Sequence, residues 1–190
     1  MRVLGIMGSP RRGGNTDILL DQVLAGAREV GGEVEKVRVA ELAISPCREI
    51  YACLKDAKCA IRDDMTRLYD KLMEADRIAF ASPIFFYGLT SQAKAVVDRC
   101  QALWVGTHRL GMLESETRVR KGVFVSVGAT RGTKLFDGAV LTVRYFFDAI
   151  GVEYVGELLV RGVDEKGEIR RHPDVLEQAL RLGRELVSRE

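Results

Sequence analysis

The stretch Val3-Leu4-Gly5-Ile6-Met7-Gly8-Ser9-Pro10-Arg11-Arg12-Gly13-Gly14-Asn15-Thr16 carries three patterns in succession. Val3 to Met7 is an apolar run of strand length. Gly8 to Thr16 is a loop of glycines and short polar side chains. Leu20, Val23, Leu24 and Ala27 then recur at the i, i+3, i+4, i+7 spacing of a helix face. Between a strand and a helix, free N–H groups and the helix dipole converge on the loop and favour an anion such as a phosphate. Ser9, Asn15 and Thr16 add short side-chain donors, Arg11 or Arg12 adds charge, and the paired glycines let the backbone close on phosphate oxygens. The alternative is a capped turn without a ligand.

The alternation continues along the chain. Val34, Val37 and Val39 predict a second strand, and Met65, Leu68, Tyr69 and Leu72 a helix opened by Asp63 and Asp64 as cap candidates. Arg77 to Ser82 reads as the third strand. Ala93, Val96, Val97, Cys100 and Leu103 form a helix starting near Thr90. Gly122 to Val127 reads as the fourth strand and Phe136 to Phe147 as a helix. Val152 to Val160 reads as the fifth strand, and a last helix carries Pro173 at its first turn. Five strands alternating with five helices imply a doubly wound α/β fold with a parallel sheet covered on both faces. Ligands then sit beyond the carboxyl ends of the strands.

Composition narrows the function. A chain of 190 residues with 47% hydrophobic and 29% charged residues reads as one compact domain over residues 1–190. A net charge of +2 is too small for the counterion release that drives nucleic-acid binding. No apolar run reaches membrane-spanning length, and Met1 to Met7 is too short for a signal peptide, which points to the cytoplasm. Three of the four cysteines (Cys47, Cys53 and Cys59) crowd together, unlike a secreted disulfide framework, whereas Cys100 reads as a small buried hydrophobe in a helix. His108 and His172 read as surface or capping residues rather than metal ligands.

Two further loops fall at the same edge of the sheet. Pro83-Ile84-Phe85-Phe86-Tyr87-Gly88 follows the third strand and sets three aromatics in a row, more than a loop can bury without stranding its backbone groups. Such side chains suit the faces of a flat conjugated ring, the alternative being packing over the core. Gly128 and Ala129 follow the fourth strand and allow close backbone approach to a ring edge. Together the loops describe a site for a phosphorylated flat heterocycle. Gly14-Asn15 stands where Walker A needs Gly-Lys, the G-x-G-x-x-G spacing does not occur after the first strand, and the acidic cluster of receiver domains is replaced by Met7-Gly8.

Gly8 to Thr16 and Ser82 to Gly88, continued by Ala93, Lys94 and Asp98-Arg99, resemble the NADPH-dependent FMN reductases of flavodoxin-like fold. Pro46-Cys47, Cys53, Cys59 and Asp63-Asp64-Met65 resemble the compact cysteine motif of the iron–sulfur flavoprotein branch. The resemblance implies FMN, with its phosphate on Ser9, Arg11, Asn15 and Thr16. It implies a ring against Pro83, Ile84, Phe85, Phe86, Tyr87 and Gly88, with Gly128 and Ala129 nearby. No side chain is then needed as a catalytic acid or nucleophile, since the flavin carries the chemistry. The branch pattern C-x2-C-x2-C-x5-C puts Ile50 where a second cysteine belongs. That departure weighs against an iron–sulfur cluster and leaves a vestigial loop or a redox-active Cys53 and Cys59 pair.

The resulting expectation is an FMN-dependent oxidoreductase that passes electrons from NAD(P)H or a protein donor to a quinone, flavin or iron complex. An electron-transfer carrier with a labile cluster and a non-redox nucleotide-binding module are the alternatives. Relatives by resemblance form dimers or tetramers, and the long connection Gly106 to Arg120 suggests an arm toward another subunit or a substrate lid.

Overall fold

The computed structural model describes residues 1–112 and 118–188. Five strands, β1 (Arg2–Met7), β2 (Glu33–Arg38), β3 (Arg77–Ala81), β4 (Lys121–Gly128) and β5 (Glu153–Arg161), form one sheet in the order β2-β1-β3-β4-β5. All four pairings are parallel. This is the flavodoxin-like arrangement, with the order reversing between β1 and β3.

The pleat divides the core in two. Val3 and Met7 of β1, Ala79 and Ala81 of β3, and Val123, Val125 and Val127 of β4 pack beneath α1 (Asn15–Glu29) and α7 (Pro173–Ser188). Leu4, Ile6, Ile78, Phe80 and Phe124 face the opposite way. They pack under α3 (Met65–Glu74), α4 (Ser91–Arg99) and α6 (Asp137–Ala149). The four-residue helices α2 (Cys53–Asp56) and α5 (Gln101–Trp104) are additions to that frame. Helix α1 packs backbone to backbone on α7. A Cβ built on Gly26 would meet the Leu180 carbonyl oxygen at 1.9 Å, and one on Gly183 would meet that of Val23 at 1.8 Å.

The expected strands and long helices are present, with shifts at their ends. The second strand stops at Arg38 and Val39 opens a 3-10 turn. The last β1–β2 pair is Met7 with Arg38, and beyond it β1 turns into the Gly8 loop, so Val39 has no strand to pair with. Helix α4 starts beside Thr90 as expected, and Thr90 caps it, accepting from Ala93 N–H at 3.2 Å. Of the two cap candidates of α3, Asp63 takes the Met65 N–H at 3.1 Å, while the Asp64 side chain is drawn away to accept from Ala43 N–H at 2.8 Å. After α5 the chain makes a π-helical turn over Val105–Arg109, which shortens the expected connection. The arm or lid expected between Gly106 and Arg120 falls partly on residues 113–117, outside the described residues.

Candidate functional site

The ends of β1, β3 and β4 bring the three loops together. One cavity of about 200 Å³ is bordered by Ser9, Pro10, Arg11, Gly14, Asn15 and Thr16 from the first loop, by Pro83, Ile84 and Phe85 from the second, and by Val127 and Ala129 from the third. Val163 and Asp164, just beyond β5, close it. No pattern in the residues singled these two out. The signal was topological: a fifth parallel strand must end at the same edge as its neighbours.

The first loop is held close to β3 and α4. Gly8 N–H donates to the Ala81 carbonyl at 2.7 Å, and the Gly8 carbonyl accepts from Thr90 Oγ1 at 2.6 Å. A Cβ on Gly8 would lie 2.8 Å from that of Ala93, so only glycine allows this approach of the first loop to α4. Gly13 adopts φ +65°, the left-handed conformation that favours glycine. Gly14 stands at the N-cap of α1 without a side-chain cap bond. The first-turn N–H groups of Asn15, Thr16 and Asp17 have no acceptor within the helix, and a bound anion is one way of satisfying such groups.

The side chains divide the work. Ser9 Oγ accepts from Arg11 N–H at 3.1 Å and keeps its own proton to donate. Arg11 borders the cavity, whereas Arg12 turns away to pair with Glu41 at 2.7 Å, so the loop's charge at the site is that of Arg11. Asn15 bridges to the loop after β5, its Nδ2 donating to the Glu165 carbonyl at 2.9 Å and its Oδ1 accepting from Ile169 N–H at 3.1 Å. Asp17 accepts from Gly13 N–H at 2.7 Å and is ion-paired with Lys36 and with Arg38 at 2.9 Å. Burial would push its carboxyl up, but those hydrogen bonds outweigh it and hold it below the ordinary 3.8. The negative charge of Asp17 in the first turn of α1 is thereby neutralised.

The second loop is fastened to the sheet by backbone bonds. Ser82 N–H donates to Val125 O at 3.1 Å, and Ile84 N–H to Val127 O at 3.0 Å. Phe85 and Gly88 then exchange two backbone bonds of 3.0 Å around a two-residue turn in which Phe86 and Tyr87 have φ of 48° and 63°. Left-handed backbone costs an L-residue roughly 1–2 kcal/mol, and strain of this kind gathers at functional sites. Phe85, Phe86 and Tyr87 are 53%, 105% and 57% exposed, so none of the three packs into the core.

Of the residues expected to bind the cofactor, Ser9, Arg11, Asn15, Thr16, Pro83, Ile84, Phe85 and Ala129 line the cavity together. Phe86, Tyr87, Gly88 and Gly128 do not border it. The aromatics project beyond its rim. The Gly128 carbonyl accepts from Gly162 N–H at 2.8 Å, and a Cβ on Gly128 would strike Leu135 at 2.6 Å.

A larger cavity of about 800 Å³ lies against the cysteine loop, bordered by Cys47, Ile50, Cys53 and Cys59 together with Asp98 and Gln101. All four cysteines are free thiols, and Cys100 is buried in the core as expected. Among the described residues no group of three or more His, Cys, Asp or Glu side chains is placed to hold a metal ion. No described helix is long and apolar enough to cross a membrane.

The family model for NADPH-dependent FMN reductases matches residues 1–157. The chain is 37% identical to an iron–sulfur flavoprotein of Methanocaldococcus jannaschii over 131 residues, 69% of this chain and 64% of that protein. It is also 37% identical to an iron–sulfur flavoprotein of Archaeoglobus fulgidus over 142 residues, 74% of this chain and 69% of that one. The match therefore spans a little under two thirds of the first relative's length. Among solved structures, an NAD(P)H:quinone oxidoreductase from Methanothermobacter marburgensis superposes with a TM-score of 0.77 at 19% identity. That match covers 100% of this chain and 98% of the other, a likeness of fold.

Proposed function

From the premise that this chain belongs to the NADPH-dependent FMN reductase family, we propose that it is an FMN-dependent oxidoreductase passing electrons from NAD(P)H or a protein donor to a small acceptor such as a quinone, a flavin or an iron complex. The observation that carries this reading is one cavity bordered at once by the N-terminus of α1 and by an apolar, aromatic strand end. A phosphorylated flat ring needs both.

FMN, when bound, supplies the redox chemistry, and the chain supplies its seat and surroundings. The hydroxyls of Ser9 and Thr16 and the first-turn N–H groups of α1 hold the phosphate, with Arg11 adding charge. Asn15 acts on the same region by tying the first loop to the loop after β5. Pro83, Ile84, Phe85 and Ala129 seat the ring, with Gly128 behind them and Gly88 closing the aromatic turn. Phe86 and Tyr87 stand outside the cavity, free to border the open face where donor and acceptor approach.

A second copy of the chain, in a dimer or tetramer, completes this reading. The full exposure of Phe86 in a strained turn beside the cavity supports it. The whole of residues 1–190 acts as one FMN-binding domain, and four free thiols suit a reducing compartment such as the cytoplasm.

The test is FMN titration of flavin-free protein, followed by flavin fluorescence, with NADPH oxidation measured against a quinone. Thr16→Ala and Arg11→Ala are each expected to weaken FMN binding by about tenfold or more, the scale of a lost charge-assisted hydrogen bond. Wild-type protein that takes up no flavin at any concentration would sink the reading.

A further inference from the structure

The relatives are called iron–sulfur flavoproteins, and this chain keeps three cysteines of such a motif around the cavity of about 800 Å³. The donors do not fit that cofactor. A cubane cluster is normally held by four thiolates. Ile50, which stands at the second position of the spacing, lines the same cavity with a side chain that has no lone pair to give. Glu49 and Asp98 also border the space, but Asp98 is paired with Lys94 at 2.7 Å. Among the described residues, no metal-holding group forms there.

The neck of the loop is closed by protein side chains. Arg99, whose side chain is 0% exposed, donates from Nη1 to the Ser45 carbonyl at 2.9 Å and from Nη2 to the Ile61 carbonyl at 3.1 Å. The same guanidinium grips both oxygens of Asp63, at 2.7 and 3.2 Å. Asp63 in turn accepts from Ser45 N–H at 2.9 Å. Both stems of the loop that carries the cysteines are therefore joined through one bidentate ion pair whose guanidinium is buried.

We propose that the segment from Cys47 to Cys59 is a three-thiol cavity whose neck is held by the Arg99–Asp63 clamp, and that Ile50 is the departure that keeps it from seating a stable iron–sulfur cluster. The loop keeps its shape without metal, and its thiols stay free. The inference is independent of whether the first cavity binds FMN.

The experiment is anaerobic reconstitution of the full chain with ferrous iron and sulfide, for wild type and Ile50→Cys. Iron, acid-labile sulfide and FMN are measured on each sample after desalting. Wild type is expected to keep less than about one iron per chain and Ile50→Cys about four. Wild type that retains three or four irons with matching sulfide overturns the proposal. Two iron-free proteins overturn the role given to Ile50. FMN on the same samples reports separately on the first site.

Limited proteolysis gives a readout that needs no cluster. Chelator is expected to leave the loop as resistant in wild type as before, whereas Asp63→Asn loses that protection. A wild-type loop that is cut only after chelation shows that metal holds the neck and overturns the clamp.

Discussion

The side-chain amide of Asn15 donates to the Glu165 carbonyl at 2.9 Å, joining the first residue of α1 to a loop 150 positions away. Its oxygen accepts the Ile169 N–H, which is buried. Asn15→Ala strands that donor and is expected to cost about 1–3 kcal/mol. Urea unfolding of flavin-free protein measures the cost. Unchanged stability with weaker FMN binding would make Asn15 a direct phosphate ligand instead of a bridge.

At Gly26 and Gly183 the backbones of α1 and α7 come into direct contact. A methyl group at either place would lie within 2 Å of a carbonyl oxygen of the other helix, so the helices must move apart. Gly183→Ala is expected to destabilise by about 3 kcal/mol, lowering the thermal midpoint by roughly 6–12 °C for a chain of this size. A shift of a degree or two would mean that the pair slides apart without loss.

Asp17 and Asp63 link stability to acid. Burial alone would raise both carboxyls, but hydrogen bonds from Lys36, Arg38 and Gly13 N–H at Asp17, and from Arg99 and backbone N–H groups at Asp63, hold both below the ordinary 3.8. A carboxyl depressed in the folded state stabilises it fully above the unfolded value, and this is lost as pH falls through the folded one. Stability is therefore expected to hold above about pH 4 and to drop below it. Asp17→Asn should flatten part of that drop in urea midpoints taken from pH 6 to 3.

The cysteines should react in a definite order. Cys47 is exposed, Cys53 is half-buried with its thiol pushed up by burial, and Cys100 is buried in the core with its thiol pushed well above the ordinary 9.0. A chromogenic disulfide reagent is expected to modify Cys47 ahead of Cys53 and to reach Cys100 only on unfolding. Native-state labelling of Cys100, located by peptide mapping, would contradict the packing around α4.

Phe86 holds left-handed backbone without packing into the core. Asparagine tolerates that conformation, so Phe86→Asn is expected to keep or slightly raise the stability of the isolated chain. If the ring borders bound flavin or a second copy, the same variant loses flavin affinity or shifts toward monomer in analytical ultracentrifugation. No change in either would confine Phe86 to the turn.

Much of this is legible in the sequence. The apolar runs at Val3 to Met7 and Gly122 to Val127, with the helical stripe at Leu20, Val23, Leu24 and Ala27, dictate alternating strands and helices because periodicity is local. The donor-rich loop Gly8 to Thr16 is a candidate anion site by its place between strand and helix. Ile50 marks the cysteine loop as a departure only against the cysteine pattern of the branch the chain resembles. The partners of those residues were decided by tertiary structure. Arg11 was separated from Arg12 by the position of Glu41, Asn15 was committed to Glu165 and Ile169, and Val163 and Asp164 joined the cavity. Arg99 met Asp63 only once α4 had packed beside the cysteine loop. A strand or helix is set by its neighbours within a few residues, whereas a hydrogen bond spanning more than a hundred positions exists only after the sheet has brought its ends together.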